Sequence, residues 1–351
     1  MGAHELRAIA QSIVADNRGI LAADESGGTI KKRFDSIGVE STEESRRFYR
    51  NMLLTTAGME ELIGGVIFYD ETIRQTSDDG TPFAEVLASK NVVPGIKVDT
   101  GAKDLALHAG ETVTEGLDGL RDRLAEYAGL GARFAKWRAV ITIGDGIPSA
   151  ACVHANAHAL ARYAALVQEA GMVPIVEPEV LMDGDNTIER CYDVTARTLH
   201  AVYGELDRQG VDLEGTLLKP NMVIAGKGCP IQASAERIAE LTIDCFRRHV
   251  PAAVPGIVFL SGGQFEVQAT ENLNAINRVG GPWPLSYSYG RALQASALQA
   301  WGGDAANLEA GQAVFLHRAR MNSLAAAGEW SAGMESPVPA TGSEAPPCRG
   351  S

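Results

Sequence analysis

The stretch Val211–Asn221, VDLEGTLLKPN, sets one lysine at the end of an apolar run and closes the run with proline. Leu217 and Leu218 read as a buried strand and Gly215 as the end of the preceding turn. Pro220 cannot donate to a sheet ladder, so the strand is expected to stop there. Strand side chains alternate, which predicts Leu217, Lys219 and Asn221 on one face. A lysine aimed into an apolar interior loses solvation of its charged form, so its pKa is expected to fall, and a neutral amine attacks carbonyl carbon. A Lys-Pro pair alone more often marks a lysine that lays its stem on the surface and its amine in water. The weight of Lys219 comes from what surrounds it.

Working outward, short apolar runs recur with helical segments between nearly all of them. Strands are predicted at Gly19–Ser26, Gly64–Ile73, Val92–Val98, Arg133–Val140, Val173–Leu181, Glu214–Val223, Gly256–Gly263 and Trp283–Tyr289, with charge-rich helices such as Ser41–Thr56 alternating. Repeated strand-then-helix order with short connections makes the strands parallel, and eight units is the count that closes a (β/α)8 TIM barrel of the α/β class. Residues 1–330 are expected to form this single catalytic domain. Residues 331–351 carry Pro337, Pro339, Pro346 and Pro347 among Gly, Ser and Ala without apolar periodicity, and read as a flexible tail.

The 351 residues are 45% hydrophobic and 21% charged, enough for a large core. A formal net charge of -13 argues against nucleic-acid or anionic-membrane partners, so an anionic ligand needs a local basic pocket. No apolar run is long enough to span a bilayer, and the N-terminus reads as an amphipathic helix rather than a signal peptide. Cys152, Cys191, Cys229, Cys245 and Cys348 are odd in number and scattered, which fits neither a disulfide framework nor a zinc cage. A cytoplasmic protein is expected.

A barrel displays its chemistry at the C-terminal ends of its strands, where Asp24, Lys97, Lys136, Glu177, Lys219, Ser261 and Arg291 all fall. Lys136 and Arg138 in AKWR lie two apart and share a face, with Trp137 on the other; a second ammonium near Lys219 would lower its pKa further. Glu177 and Glu179 in PIVEPEVL repeat the pattern with acids. Close like charges push one carboxyl pKa up, and a partly protonated acid can dehydrate a carbinolamine. Glu179 is also expected to serve as an ion-pair partner. Ser261, Gly262 and Gly263 in FLSGGQ could cup an anion with backbone N–H groups, and Arg291 in SYGRALQ opens a helix at its positive end. Ser26, Lys32 and Arg33 in DESGGTIKKR could form a second basic patch across the mouth, although Ser-Gly-Gly alone is usually a turn and Lys-Lys-Arg a solvated helix face. His154 and His158 have the spacing of a zinc pair, but no glutamate lies between them and no third ligand stands out. No metal site and no cofactor is expected.

Together LAADES, IKVD, FAKWR, PIVEPE, LEGTLLKPNMV, FLSGGQ and SYGRALQASAL resemble, in the same order, segments of class I fructose-1,6-bisphosphate aldolase, over about Leu6 to Ala327. The resemblance implies a metal-independent barrel lyase, usually a homotetramer, in glycolysis and gluconeogenesis. Such an enzyme acts on small sugar phosphates, splitting the bisphosphate into dihydroxyacetone phosphate and glyceraldehyde 3-phosphate. It implies that Lys219 is the Schiff-base lysine, Glu177 the main proton donor and acceptor, Asp24 a proton-relaying carboxylate and Lys136 a second active-site lysine. It assigns Ser261, Gly262 and Arg291 to the 1-phosphate, and Ser26, Lys32, Arg33 and Lys97 to the substrate's other end or hydroxyls. Gly27 stands where many members carry threonine and Phe265 where many carry a polar residue. Many animal members end in a functional tyrosine, whereas no tyrosine follows Tyr289 here. Two alternatives stay open: another Schiff-base barrel aldolase or transaldolase, and a non-catalytic scaffold on the same barrel.

Overall fold

The computed structural model describes residues 2–335. Among the described residues ten strands run in chain order: β1 Gly19–Ala23, β2 Ile63–Phe68, β3 Val93–Lys97, β4 Gly101–Asp104, β5 Thr112–Glu115, β6 Phe134–Ile141, β7 Val173–Val180, β8 Leu217–Leu218, β9 Ile257–Phe259 and β10 Leu285–Tyr289. Eight of them close a barrel in the order β1-β10-β9-β8-β7-β6-β3-β2, and each adjacent pair is parallel. The expected (β/α)8 TIM barrel is therefore the fold.

The barrel floor is apolar and is sealed by the first helix, Ala3–Val14, whose Leu6, Ala10, Ile13 and Val14 join Ile20, Ala22, Ile67, Phe134, Val173, Ile175, Leu217 and Val258. Two glycines make this closure possible. A Cβ on Gly64 would sit 2.0 Å from the Ile13 carbonyl oxygen, and one on Gly95 would sit 2.2 Å from the Phe134 ring. The helix and the ring thus occupy space that any larger residue would fill, and the polar groups are confined to the opposite end.

Several boundaries differ from the sequence reading. The run Gly64–Ile73 is a strand only to Phe68, after which Asp70–Ile73 is helical. The segment Glu214–Val223 shortens to Leu217–Leu218, preceded by a 3-10 turn at Leu213–Gly215. Asn221 does not share the Lys219 face: its side chain accepts from the Val180 N–H at 3.0 Å and donates to Thr195 Oγ1 at 3.1 Å, outside the barrel. The antiparallel β4–β5 hairpin was not expected and folds beside the mouth after β3. The segment assigned to the tail begins with a 3-10 turn at Ala332–Glu335, where Glu335 pairs with Arg318 and accepts from Trp330 Nε1 at 2.9 Å. The four tail prolines and Cys348 lie outside the described residues.

Candidate active site

Parallel strands of one barrel end at one face, so alternate residues of β6 and β7 enter the same cavity. Lys136, Arg138, Glu177 and Glu179 line it, while Trp137 points outward to pack on Tyr163 with ring centroids 5.5 Å apart. Lys219 lies one residue beyond β8, its N–H still donating to the Val176 carbonyl at 2.8 Å, and Pro220, with no N–H to donate, accepts only from the Leu260 N–H at 3.0 Å. The cavity measures 690 Å³ and is also lined by Asp24, Ser26, Arg33, Lys97, Asp99, Asp183, Ser261, Gly262, Gly263 and Arg291. Of the catalytic and substrate-binding residues expected from the sequence, Lys32 alone is not brought to this cavity.

At its base the charges are interlocked. Lys136 Nζ stands 2.8 Å from Asp24, 3.3 Å from Glu177 Oε2 and 4.0 Å from Asp99. Lys219 Nζ stands 3.1 Å from Glu177 Oε1, and both side chains are buried. Lys97 Nζ is 2.8 Å from Asp99. Three ammonium groups (Lys97, Lys136, Lys219) therefore face three carboxylates (Asp24, Asp99, Glu177). Burial alone would raise the Asp24 carboxyl, but Lys136 and then Lys219 hold it well below the usual carboxylate range. Burial would likewise lower the Lys136 ammonium, and Asp24, Glu177 and Asp99 together drive it above its ordinary value. Glu177 Oε2 is buried without a hydrogen-bond partner among the described residues, its approach to Lys136 being ionic rather than an aligned bond.

Glu179 is taken up by Arg138, with which it forms a close ion pair. The repulsion expected between Glu177 and Glu179 is thereby replaced by separate pairing: Glu179 goes to an arginine and Glu177 lies between two lysines. Asp99 is the residue at the base of the site that the sequence reading passed over. It accepts from the Gly101 N–H at 3.1 Å and the Arg138 N–H at 3.3 Å, besides holding Lys97 and facing Lys136. Its signal was present, since Lys97 and Asp99 in IKVD repeat the two-apart pairing of β6 and β7.

The rim is built differently. Gly262 and Gly263 adopt φ of +58° and +89°, backbone that favours glycine, in a turn closed by the Gln264 N–H donating to the Ser261 carbonyl at 2.9 Å. Arg291 opens the helix Arg291–Trp301, is exposed, and has no carboxylate within ion-pair distance among the described residues. Arg33 and Arg50 both grip Glu25, Arg50 at 2.5 Å. Arg33 Nη2 would lie 3.6 Å from a Cβ on Gly290, so Arg33 reaches the end of β10 as it lines the cavity. Gly27 is exposed with open space around it, and Phe265 is exposed just before the helix Glu266–Val279. His154 and His158 both turn to Glu205, at 3.7 and 3.3 Å, on the outer helices. Among the described residues no group of three His, Cys, Asp or Glu side chains is placed to hold a metal ion, and no helix is long and apolar enough to cross a membrane.

A closed barrel whose mouth holds a buried amine against a carboxylate belongs to the class of α/β-barrel enzymes. The sequence profile described as fructose-bisphosphate aldolase class-I matches residues 5–343. The chain is 57% identical over 332 residues to the probable fructose-bisphosphate aldolase class 1 of Xanthomonas campestris, spanning 94% of this chain and 99% of that one. It is 54% identical over 335 residues to fructose-bisphosphate aldolase C of Carassius auratus, spanning 94% and 92%. The fructose-bisphosphate aldolase of Plasmodium falciparum, solved in complex with TRAP and a small-molecule inhibitor, superposes with a TM-score of 0.93 at 48% identity, over 94% of this chain and 96% of that one. The chain belongs to the class-I fructose-bisphosphate aldolase family.

Proposed function

We propose that the chain reversibly cleaves fructose 1,6-bisphosphate to dihydroxyacetone phosphate and glyceraldehyde 3-phosphate through a Schiff base on Lys219. The observation that carries this reading is the contact of 3.1 Å between the buried Lys219 amine and Glu177 inside the cavity. Attack on a ketone requires the amine to lose a proton, and Glu177 is the carboxylate in reach to take it. The amine adds to carbon 2, Glu177 returns the proton to the carbinolamine hydroxyl, and water leaves to give an iminium. The iminium withdraws electrons from the bond between carbons 3 and 4. Asp24, held ionised by Lys136, accepts the proton of the carbon-4 hydroxyl as that bond breaks. Glyceraldehyde 3-phosphate departs, and the electron pair remains as an enamine on Lys219. Protonation at carbon 3 and hydrolysis then release dihydroxyacetone phosphate and regenerate the amine.

Lys136 acts in this scheme as the fixed cation between Asp24 and Glu177 that holds Asp24 ionised. The rim of Ser261, Gly262, Gly263 and Arg291 receives the 1-phosphate, while Ser26, Arg33 and Lys97 serve the far end of the sugar. Residues 1–330 are read as one catalytic domain and 331–351 as the tail, of which Ala332–Glu335 forms a 3-10 turn. The same reading makes the protein a cytoplasmic homotetramer in glycolysis and gluconeogenesis, for which the four cysteines among the described residues, buried and unpaired, fit a reducing compartment. Borohydride reduction in the presence of dihydroxyacetone phosphate, followed by peptide mapping, tests the scheme: label on Lys219 is expected, and label on any other lysine overturns it. Sedimentation of the purified protein tests the tetramer.

A further inference from the structure

A second cation approaches the phosphate rim from a loop that the scheme above does not use. Lys227 lies after β8, and three consecutive backbone bonds fasten its loop to the segment following β7. Gly226 N–H donates to the Asn186 carbonyl at 2.8 Å, Lys227 N–H to Met182 at 2.8 Å and Gly228 N–H to Gly184 at 2.9 Å. A Cβ on Gly226 would lie 2.2 Å from the Gly184 oxygen, so the two segments are as close as backbones allow. The lysine is therefore carried on a fixed platform rather than on a free loop.

From that platform its side chain reaches the glycine turn. A Cβ on Gly263 would sit 2.5 Å from Lys227 Nζ and 3.0 Å from Arg291 Nη2, so both cations face one α-carbon. Cations this close repel unless an anion joins them. Asp183 compensates only one, accepting from Lys227 Nζ at 2.8 Å, and it is 65% exposed, where an ion pair is weak. Arg291 has no such partner among the described residues. The positive charge left over, the αL glycines and the helix N-terminus all converge on one point of the cavity wall.

We propose that Lys227 is a phosphate-binding residue of the 1-phosphate site, held on Asp183 when the site is empty and shared with the phosphate when it is filled. This rests on the reading that the Ser261–Gly263 rim receives that phosphate. Lys227 thereby sets selectivity for phosphorylated over unphosphorylated ketones at the Schiff-base step.

The test compares borohydride trapping on Lys219 across titrations of dihydroxyacetone phosphate and of dihydroxyacetone, in the wild type, Lys227→Met and Lys227→Arg. For Lys227→Met the half-saturating concentration of the phosphate ester is expected to rise about 5- to 30-fold, with that of dihydroxyacetone unchanged within about twofold. Lys227→Arg should retain most of the wild-type affinity for the ester. An equal rise for both ketones would mean that Lys227 only supports the loop, and no rise for either would mean that phosphate does not meet it; each result overturns the inference. Absence of label on wild-type Lys219 would overturn the Schiff-base reading and this inference with it. Label on the wild type with an unaltered Lys227→Met titration overturns the inference alone.

Discussion

The base of the mouth and its rim at the ends of β9 and β10 are both rich in charge, but they handle it in opposite ways. On the first, Lys136, Lys219 and Lys97 are matched by Asp24, Glu177 and Asp99, with short contacts between buried groups. On the second, Arg291 is left without a carboxylate among the described residues and the backbone supplies αL glycines. Balanced, buried charge favours moving a proton between fixed neighbours, since each transfer leaves the cluster neutral overall. Surplus charge at an open rim favours an incoming anion, which completes the balance. In a chain of net charge -13, a local positive surplus facing the cavity is the arrangement that the proposed phosphate site requires.

The sharpest way to break this division is to remove the amine. Lys219→Ala should lower kcat by at least about 10^4-fold and abolish borohydride trapping, because it removes the nucleophile and not merely a charge. Fold should persist, since the backbone bonds of Lys219 and Pro220 to the neighbouring strands survive the change. A variant with residual trapping at another lysine would separate the balanced cluster from the covalent step.

Asp24→Asn probes the balance itself. Losing the base should lower kcat by about 10^2- to 10^4-fold. The same variant has a signature in stability. The Asp24 carboxyl is depressed in the folded chain, so its stabilisation is fully present above the unfolded value of about 3.9 and is lost as pH falls toward the folded value. The acid limb of a Tm-versus-pH curve below about pH 4 should therefore be shallower in Asp24→Asn than in the wild type. Lys136 is not stranded by the change, because Asp99 and Glu177 remain near it. An unchanged acid limb would show that Asp24 is not the group whose charge the lysines hold.

On the rim, Arg291→Ala should lower kcat/KM about 10- to 100-fold for fructose 1,6-bisphosphate and fructose 1-phosphate alike, because both carry the 1-phosphate. Trapping with unphosphorylated dihydroxyacetone should be nearly untouched. Loss of that trapping as well would place Arg291 with the balanced cluster rather than against it.

The two regions also differed in how far they could be read in advance. Lys136 with Arg138 and Glu177 with Glu179 were legible because a strand fixes alternate residues on one face, and apolar flanks identify the strand. Asp99 obeyed the same rule beside Lys97 but stood alone at the end of IKVD, where one acid is easily taken for a turn residue. Lys227 had no such signal. Its place depends on a ladder to residues 182–186, and no local period encodes a contact between two loops. Asn221 shows the limit of alternation, since the chain leaves the ladder after Pro220 and the next side chain turns to Val180 and Thr195. The β4–β5 hairpin escaped because its strands of four residues each, GAKD and TVTE, carry too few apolar residues to mark a face.

The smallest expected effect concerns Lys32 and Arg33, which looked alike in the sequence and are not alike in the fold. In the helix Gly27–Asp35 the buried side chains are Ile30 and Phe34, and a helical turn puts Arg33 on the flank of that stripe and Lys32 on the far side. Arg33 accordingly lines the cavity and pairs with Glu25, while Lys32 is exposed. Lys32→Ala should change kcat/KM for either substrate by less than about twofold, as exposed charges contribute little. Arg33→Ala should lower kcat/KM for fructose 1,6-bisphosphate by about 3- to 10-fold, limited because Glu25 already holds the guanidinium and Arg50 still satisfies Glu25. The value for fructose 1-phosphate should stay near wild type, which compresses the ratio of the two. That ratio is measured on one enzyme preparation, so errors in active-site concentration cancel. If Arg33→Ala lowers both values equally, Arg33 and Arg291 serve one phosphate from adjacent strands, and the far phosphate must be sought opposite them, near Lys97 and Arg138 on β3 and β6.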